Sequence, residues 1–163
     1  MLDSKTRAQK RERKMAPQIG GRAHPGSGSV WYKKGDYSNS VILCEDKYTD
    51  ASTYSIKINI LDKLQKQANK IGKTPIFTFG FERQQMNYAV VSSNDYNDYT
   101  PNTYYQLTTD KKSISMSLTG LSHLAAQAKG TILAEITFSL TGKKYILLTW
   151  DDFVDNQNKF AAL

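Results

Sequence analysis

Two hydrophobic periods alternate along this 163-residue chain, and each change of period marks an element. Near the start, Ala8, Met15, Ala16 and Ile19 recur at helical spacing, with Glu12 on the same side. Ser4 or Thr6 can cap this helix, and Pro17 disturbs it after Met15 or Ala16. Gly20 to Ser29 is too rich in glycine, proline and serine for regular structure and reads as a loop; a short strand over Val30 to Tyr32 follows. A period of two then runs from Val41 to Lys47. It places Val41, Leu43, Glu45 and Lys47 on one face of a strand and Ile42, Cys44 and Asp46 on the other. Ser55 to Ile58 is extended. Asn59 can cap a helix to Ile71 whose apolar stripe is Ile60, Leu61, Leu64, Ala68 and Ile71, stopped by Gly72. Pro75 to Phe81 and Asn87 to Ser92 read as a hairpin, and Ser93 to Lys112 as a polar excursion containing Tyr96, Tyr99, Tyr104 and Tyr105.

The last third echoes this order. Ser113 to Met116 resembles Ser55 to Ile58, Leu121 and Leu124 echo Leu61 and Leu64, and the spacing of Phe138, Tyr145 and Phe153 equals that of Phe81, Tyr88 and Tyr96. A degenerate internal repeat is one explanation, and common hairpin grammar is the other. On either, the chain divides into a core over residues 1–92, a polar loop over 93–112 and a C-terminal unit over 113–163, within a single domain. The second unit has no counterpart of Asp36, Glu45 or Lys47.

Composition narrows the class. Hydrophobic residues make up 39% and charged residues 23%, as in a folded globular protein. No apolar run approaches a membrane span, so no membrane role is expected, and a single cysteine, Cys44, excludes an intrachain disulfide or a cysteine-based zinc site. The expected location is intracellular, in the cytoplasm. The net charge is +7, and it is concentrated. Met1 to Lys34 holds nine Lys or Arg against two acids (9 − 2 = +7), so the rest of the chain is balanced. Arg7, Lys10, Arg11 and Lys14 form one helical stripe, and Arg22, Lys33 and Lys34 follow it. Such an excess suits a polyanion, with nucleic acid first among candidates.

Against this basic background the acids stand out. Glu12 lies on the inward side of its helix, where an unpaired carboxylate is costly; it needs a cation or metal nearby, or a basic neighbour at the helix edge. With Asp36 and the Glu45-x-Lys47 pair it can meet at one end of a small sheet. Carboxylates brought together repel and are stabilised by a shared hard cation, magnesium or manganese, to which the backbone carbonyl of Asp46 can add a ligand. Lys47 can then orient or deprotonate a water and offset charge in a transition state. This is chemistry suited to phosphodiester hydrolysis. The plainer alternative is a structural ion pair between Glu45 and Lys47.

Arg11-Glu12-Arg13, Gly20 to Ser29, Gly35-Asp36, Glu45-Asp46-Lys47 and Ser55-Ile56-Lys57 before a helix together resemble the PD-(D/E)xK nuclease superfamily, and within it the archaeal and phage Holliday junction resolvases. The likeness covers roughly residues 5 to 92, with Gly35 where the superfamily has proline. It implies a restriction-endonuclease-like α/β core with a central mixed sheet flanked by helices, here with a C-terminal strand-helix-hairpin extension. It implies Asp36 and Glu45 as ligands of magnesium, for which manganese can substitute, Lys47 and Glu12 as further catalytic groups, and Ser27 or Ser29 near the scissile phosphate. Flanking phosphates would fall to Arg7, Lys10, Arg11, Lys14, Arg22, Lys33 and Lys34. The expected activity is structure-specific cleavage of DNA, leaving a 5′ phosphate and a 3′ hydroxyl, by a homodimer making two symmetric cuts. A duplex or nonspecific phage endonuclease and an inactive DNA-binding module are the rivals.

Overall fold

The computed structural model describes residues 4–24, 36–97 and 104–159. Ser27, Ser29, Lys33, Lys34 and the strand expected over Val30 to Tyr32 lie outside the described residues. The chain is a mixed α/β protein built on one eight-stranded sheet.

Helix α1 (Ser4–Met15) passes directly into a 3-10 turn (Ala16–Ile19) at Pro17, which ends at Gly20 in the left-handed region, φ 66°. Two short strands, β1 (Arg22–Ala23) and β2 (Tyr37–Ser38), precede β3 (Ile42–Thr49) and β4 (Thr53–Lys57). Helix α2 (Ile58–Lys70) begins without a side-chain cap. Asn59 is inside it rather than at its cap, because the chain turns from strand to helix at Lys57 and the Ile58 N–H is met by the Lys112 carbonyl at 2.9 Å. The expected hairpin follows as β5 (Thr74–Phe81) and β6 (Asn87–Ser92).

The polar excursion holds a strand that its pattern did not announce, β7 (Tyr105–Thr109), whose residues are exposed or half-buried. Then come β8 (Ser113–Ser117), α3 (Leu118–Gln127), β9 (Ala134–Phe138), β10 (Lys143–Thr149) and α4 (Trp150–Asp155). Strand order in the sheet is β1-β2-β3-β5-β6-β10-β9-β7, and β4 pairs with β8 in a separate two-stranded ribbon. The C-terminal strands are therefore not an extension beside a finished core. They continue the sheet from its centre, where β10 pairs antiparallel with β6.

Both faces are covered. Leu43, Phe77 and Phe79 on one side pack with Leu61 and Leu64 of α2, Leu121 and Leu124 of α3, and Ile56 and Met116 of the ribbon. Ile42, Cys44, Ile76, Ile146 and Leu148 on the other pack with Met15, Ile19, Trp150 and Phe153. Trp150 also donates its indole N–H to Gln18 at 2.7 Å, tying α4 to the turn after α1. Among the described residues no helix is long and apolar enough to cross a membrane.

Candidate functional site

The site forms where β3 outruns its neighbour. Strand β2 covers β3 only at Cys44, opposite Tyr37, and Leu43, opposite Ser38. Beyond Cys44 the Asp36 carboxylate takes over, its Oδ2 accepting from the Asp46 N–H at 2.7 Å. Within a strand the N–H and C=O of one residue point to the same edge, so the Asp46 carbonyl also faces the Asp36 side. Asp36 is itself held by its backbone: its N–H donates to the Cys44 carbonyl and its own carbonyl accepts from His24 N–H, both at 2.8 Å.

Helix α1 closes the groove from above. Glu12 and Asp36 are each only 8% exposed. Lys5, Ala8, Gln9, Glu12, Asp36, Asp46, Lys47 and Tyr48 line a space of about 310 Å³. Burial, then the charges of Asp36, Asp46 and Glu45, push the Glu12 carboxyl up to about 7, with Lys47 pulling the other way. Glu45 is also raised, by burial and by Asp36, against Lys47 and Lys63. Lys47 Nζ lies 3.3 Å from Glu45 Oε1. Asp36, Asp46, Glu45 and Lys47 are thus all within electrostatic reach of Glu12, and Asp36 and Lys47 also within reach of Glu45. Among the described residues no three His, Cys, Asp or Glu side chains are grouped as a ready-made metal cage. Magnesium commonly keeps several waters and takes only one or two protein carboxylates, and hard carboxylate oxygens are the donors it favours.

Asp46 contributes more than a carbonyl. Its side chain is buried on the α1 face, where Arg11 grips it with Nε on Oδ2 at 2.9 Å and Nη2 on Oδ1 at 3.0 Å, while the Thr78 hydroxyl donates to Oδ1 at 2.7 Å. Burial pushes this carboxyl up, and Arg11 and Thr78 pull it back. Arg11 also donates to Asn87 Oδ1 at 2.8 Å. Gly80 makes room for this: a Cβ there would sit 2.3 Å from Asn87 Oδ1 and 2.7 Å from Arg11 Nη1.

The basic stripe is therefore divided. Arg11 turns inward and is committed to Asp46 rather than to a phosphate, and Arg7 pairs with Glu82. Both guanidinium groups lie over the Tyr48 ring, 5.9 and 5.7 Å from its centroid. Lys10 and Lys14 line a second groove of about 570 Å³ between α1 and the β5–β6 turn. Tyr48 borders both grooves. Arg22 is exposed in β1.

Sequence reasoning missed the Arg11–Asp46–Thr78 network and Tyr48. Asp46 on the Ile42–Cys44 face was a signal for the first, since an acid continuing an apolar face requires a cation. Tyr48 carried none. No family model, no curated protein and no solved structure matches this chain.

Proposed function

We propose that the chain is a metal-dependent DNA endonuclease. One observation carries this reading: Glu12 from α1, Asp36 before β2, and Asp46 and Lys47 of β3 line a single groove beside an exposed basic surface. Carboxylates so placed raise one another's proton affinity, and a hard divalent cation relieves that repulsion.

In this reading Asp36 and Glu45, with the Asp46 carbonyl, hold magnesium or manganese. The bound ion supplies a Lewis acid for the phosphate oxygens and lowers the pKa of water. Lys47 orients the attacking water and offsets charge as the 3′ oxygen leaves. Glu12, which titrates near 7, is suited to accept a proton at neutral pH. Lys10 and Lys14 hold flanking phosphates and exposed Arg22 adds a further cation; the sequence resemblance gives phosphate contacts to Lys33, Lys34, Ser27 and Ser29 as well, which lie outside the described residues.

A four-way junction is the proposed substrate, and its two symmetric cuts need two copies of the chain. The test compares nicking of a four-way junction and a linear duplex in magnesium, with Asp36→Ala as control. Faster junction cleavage supports a resolvase, equal rates a duplex or nonspecific endonuclease, and full cleavage by the Asp36→Ala chain removes the assignment. The Glu45–Lys47 ion pair favours a second reading, a DNA-binding module with structural carboxylates. Tight binding with no nicking in magnesium or manganese would establish that instead.

A further inference from the structure

The order strand, strand, helix, strand, strand occurs twice, as β3-β4-α2-β5-β6 and β7-β8-α3-β9-β10. The pairings repeat with it: β3 is parallel to β5 and β7 to β9, while β5–β6 and β9–β10 are antiparallel.

Aligning Leu61 with Leu121 equates Ser55 with Ser115, two residues beyond the Ser113 that the sequence echo pairs with it, and Ser55 and Ser115 sit opposite each other in the β4–β8 ribbon. Beyond the helices, α3 is shorter than α2, and aligning Phe81 with Phe138 equates Val90 with Leu147. These also pair, in the middle of β6–β10. Equivalent residues meet in this way only about a two-fold axis. The register agrees independently, because Glu45 lies opposite Phe77 while Tyr105 lies opposite Ala134, the positions that the same alignment equates.

This alignment identifies what stands in the second half where the first has its acids. Tyr105, Gln106 and Leu107 of β7 replace Glu45, Asp46 and Lys47. Tyr105 is 53% exposed, unusual for so large a ring. It borders a groove of about 480 Å³ beside α3, with Tyr104, Leu124, Gln127 and Lys129 among its walls. None of its described lining residues is acidic. An aromatic face, a side-chain amide and a rim lysine suit a planar base attached to a phosphate backbone.

We propose that the second half is a non-cutting counterpart of the first, and that its groove at Tyr105 receives an unpaired base of the same nucleic acid that the acid groove engages. The proposal rests on the nucleic-acid part of the functional reading above but not on cleavage. One chain then holds one acid groove and one stacking groove for the same nucleic acid.

The test measures binding by fluorescence anisotropy, using the full chain carrying Asp36→Ala in magnesium. The probes are a four-way junction with unpaired thymines at its crossover, a linear duplex and an oligothymidylate. Adding Tyr105→Ala is expected to weaken junction and oligothymidylate binding about tenfold while leaving duplex binding unchanged, and Tyr105→Trp should restore it. Equal affinities for all three probes overturn the proposal. So does a change of oligomeric state on Tyr105→Ala in sedimentation, which would make the groove at this sheet edge a contact for a second copy. Absence of DNA binding by the Asp36→Ala chain removes both readings. Binding that depends on Tyr105, with no cleavage by the unaltered chain, removes only the nuclease.

Discussion

Strands β3 and β7 occupy matching places, each parallel to the strand that follows its helix, and differ in what their buried sides demand. On β3 the Asp46 carboxylate is buried and answered by Arg11 from α1. On β7 the matching Gln106 is neutral and exposed, and needs no cation. The buried acid of the second half is instead Glu135 on β9, with Lys144 at 3.9 Å and an Oε2 that has no hydrogen-bond partner among the described residues. The skeleton alone therefore does not make a site. The helix preceding β3 does, by bringing Arg11 to neutralise Asp46 and Glu12 to face Asp36. The parallel β3–β5 and β7–β9 pairs are the same platform, and what differs is the set of groups at the open edge.

The largest effect that can break this comparison is loss of cleavage. Asp36→Ala removes the carboxylate that bridges to the Asp46 N–H, and nicking should be abolished while circular dichroism and junction binding persist. The reciprocal experiment sharpens the contrast: Tyr105→Glu with Leu107→Lys in an Asp36→Ala chain should restore nothing, because among the described residues no helix brings an acid and an arginine to β7 as α1 does to β3. Nicking by that variant would show that the platform suffices without the helix.

Much of this was legible because period and chemistry agreed. Alternation fixed β3, the apolar stripe fixed α2, and Glu12 among Ala8, Met15 and Ile19 announced an inward acid. The rest depended on contacts between distant segments. Arg11 belongs to the basic stripe by spacing, and only the meeting of α1 with β3 and β6 turns it toward Asp46 and Asn87. Strand β7 was illegible because at its edge position only Leu107 packs on the core, while Tyr105 is exposed and the other residues are polar. Gly80 reads as an ordinary strand glycine until Arg11 is seen across it.

Stability comes next. Arg11→Ala leaves Asp46 buried without its cation, at a cost of about 3–5 kcal/mol, which denaturant unfolding would register. Asp46→Asn added to it should recover part of the loss, and a double-mutant cycle would measure the coupling. A cost below about 1 kcal/mol would mean that the Thr78 hydroxyl suffices for the Asp46 carboxylate. Gly80→Ala should cost about 1–3 kcal/mol by crowding the same guanidinium. Its counterpart Thr137 already carries a Cβ, so Thr137→Ala should be milder.

A smaller effect lies in pH. The folded-state carboxyl of Glu12 titrates at about 7, above its ordinary 4.5. A raised acid pKa means that the folded state holds the proton more tightly than the unfolded chain. This contribution to stability is full below about 4.5, is lost as pH rises through the folded value, and is gone above 7. Thermal melts without metal should therefore decline across that window, and Glu12→Gln should flatten the decline. Manganese, which favours the ionised form, should raise the melting temperature more at pH 8 than at pH 5. Identical pH profiles for the unaltered and Glu12→Gln chains would sever Glu12 from the acid cluster.

The smallest effect separates the two kinds of basic residue on α1. Lys10 and Lys14 border the groove beside the β5–β6 turn, whereas Arg7 has its charge balanced by Glu82. A cation that contacts phosphate releases a counterion, so Lys10→Ala and Lys14→Ala should each lower the salt slope of duplex binding by about 1. Arg7→Ala should lower it by less, since Glu82 already neutralises that arginine and would be left as an opposing charge. Equal slopes for all three variants would mean that DNA opens the Arg7–Glu82 pair. The whole stripe except Arg11, which Asp46 retains, would then face the polyanion, and the site-bearing half would differ from its counterpart by one more basic contact.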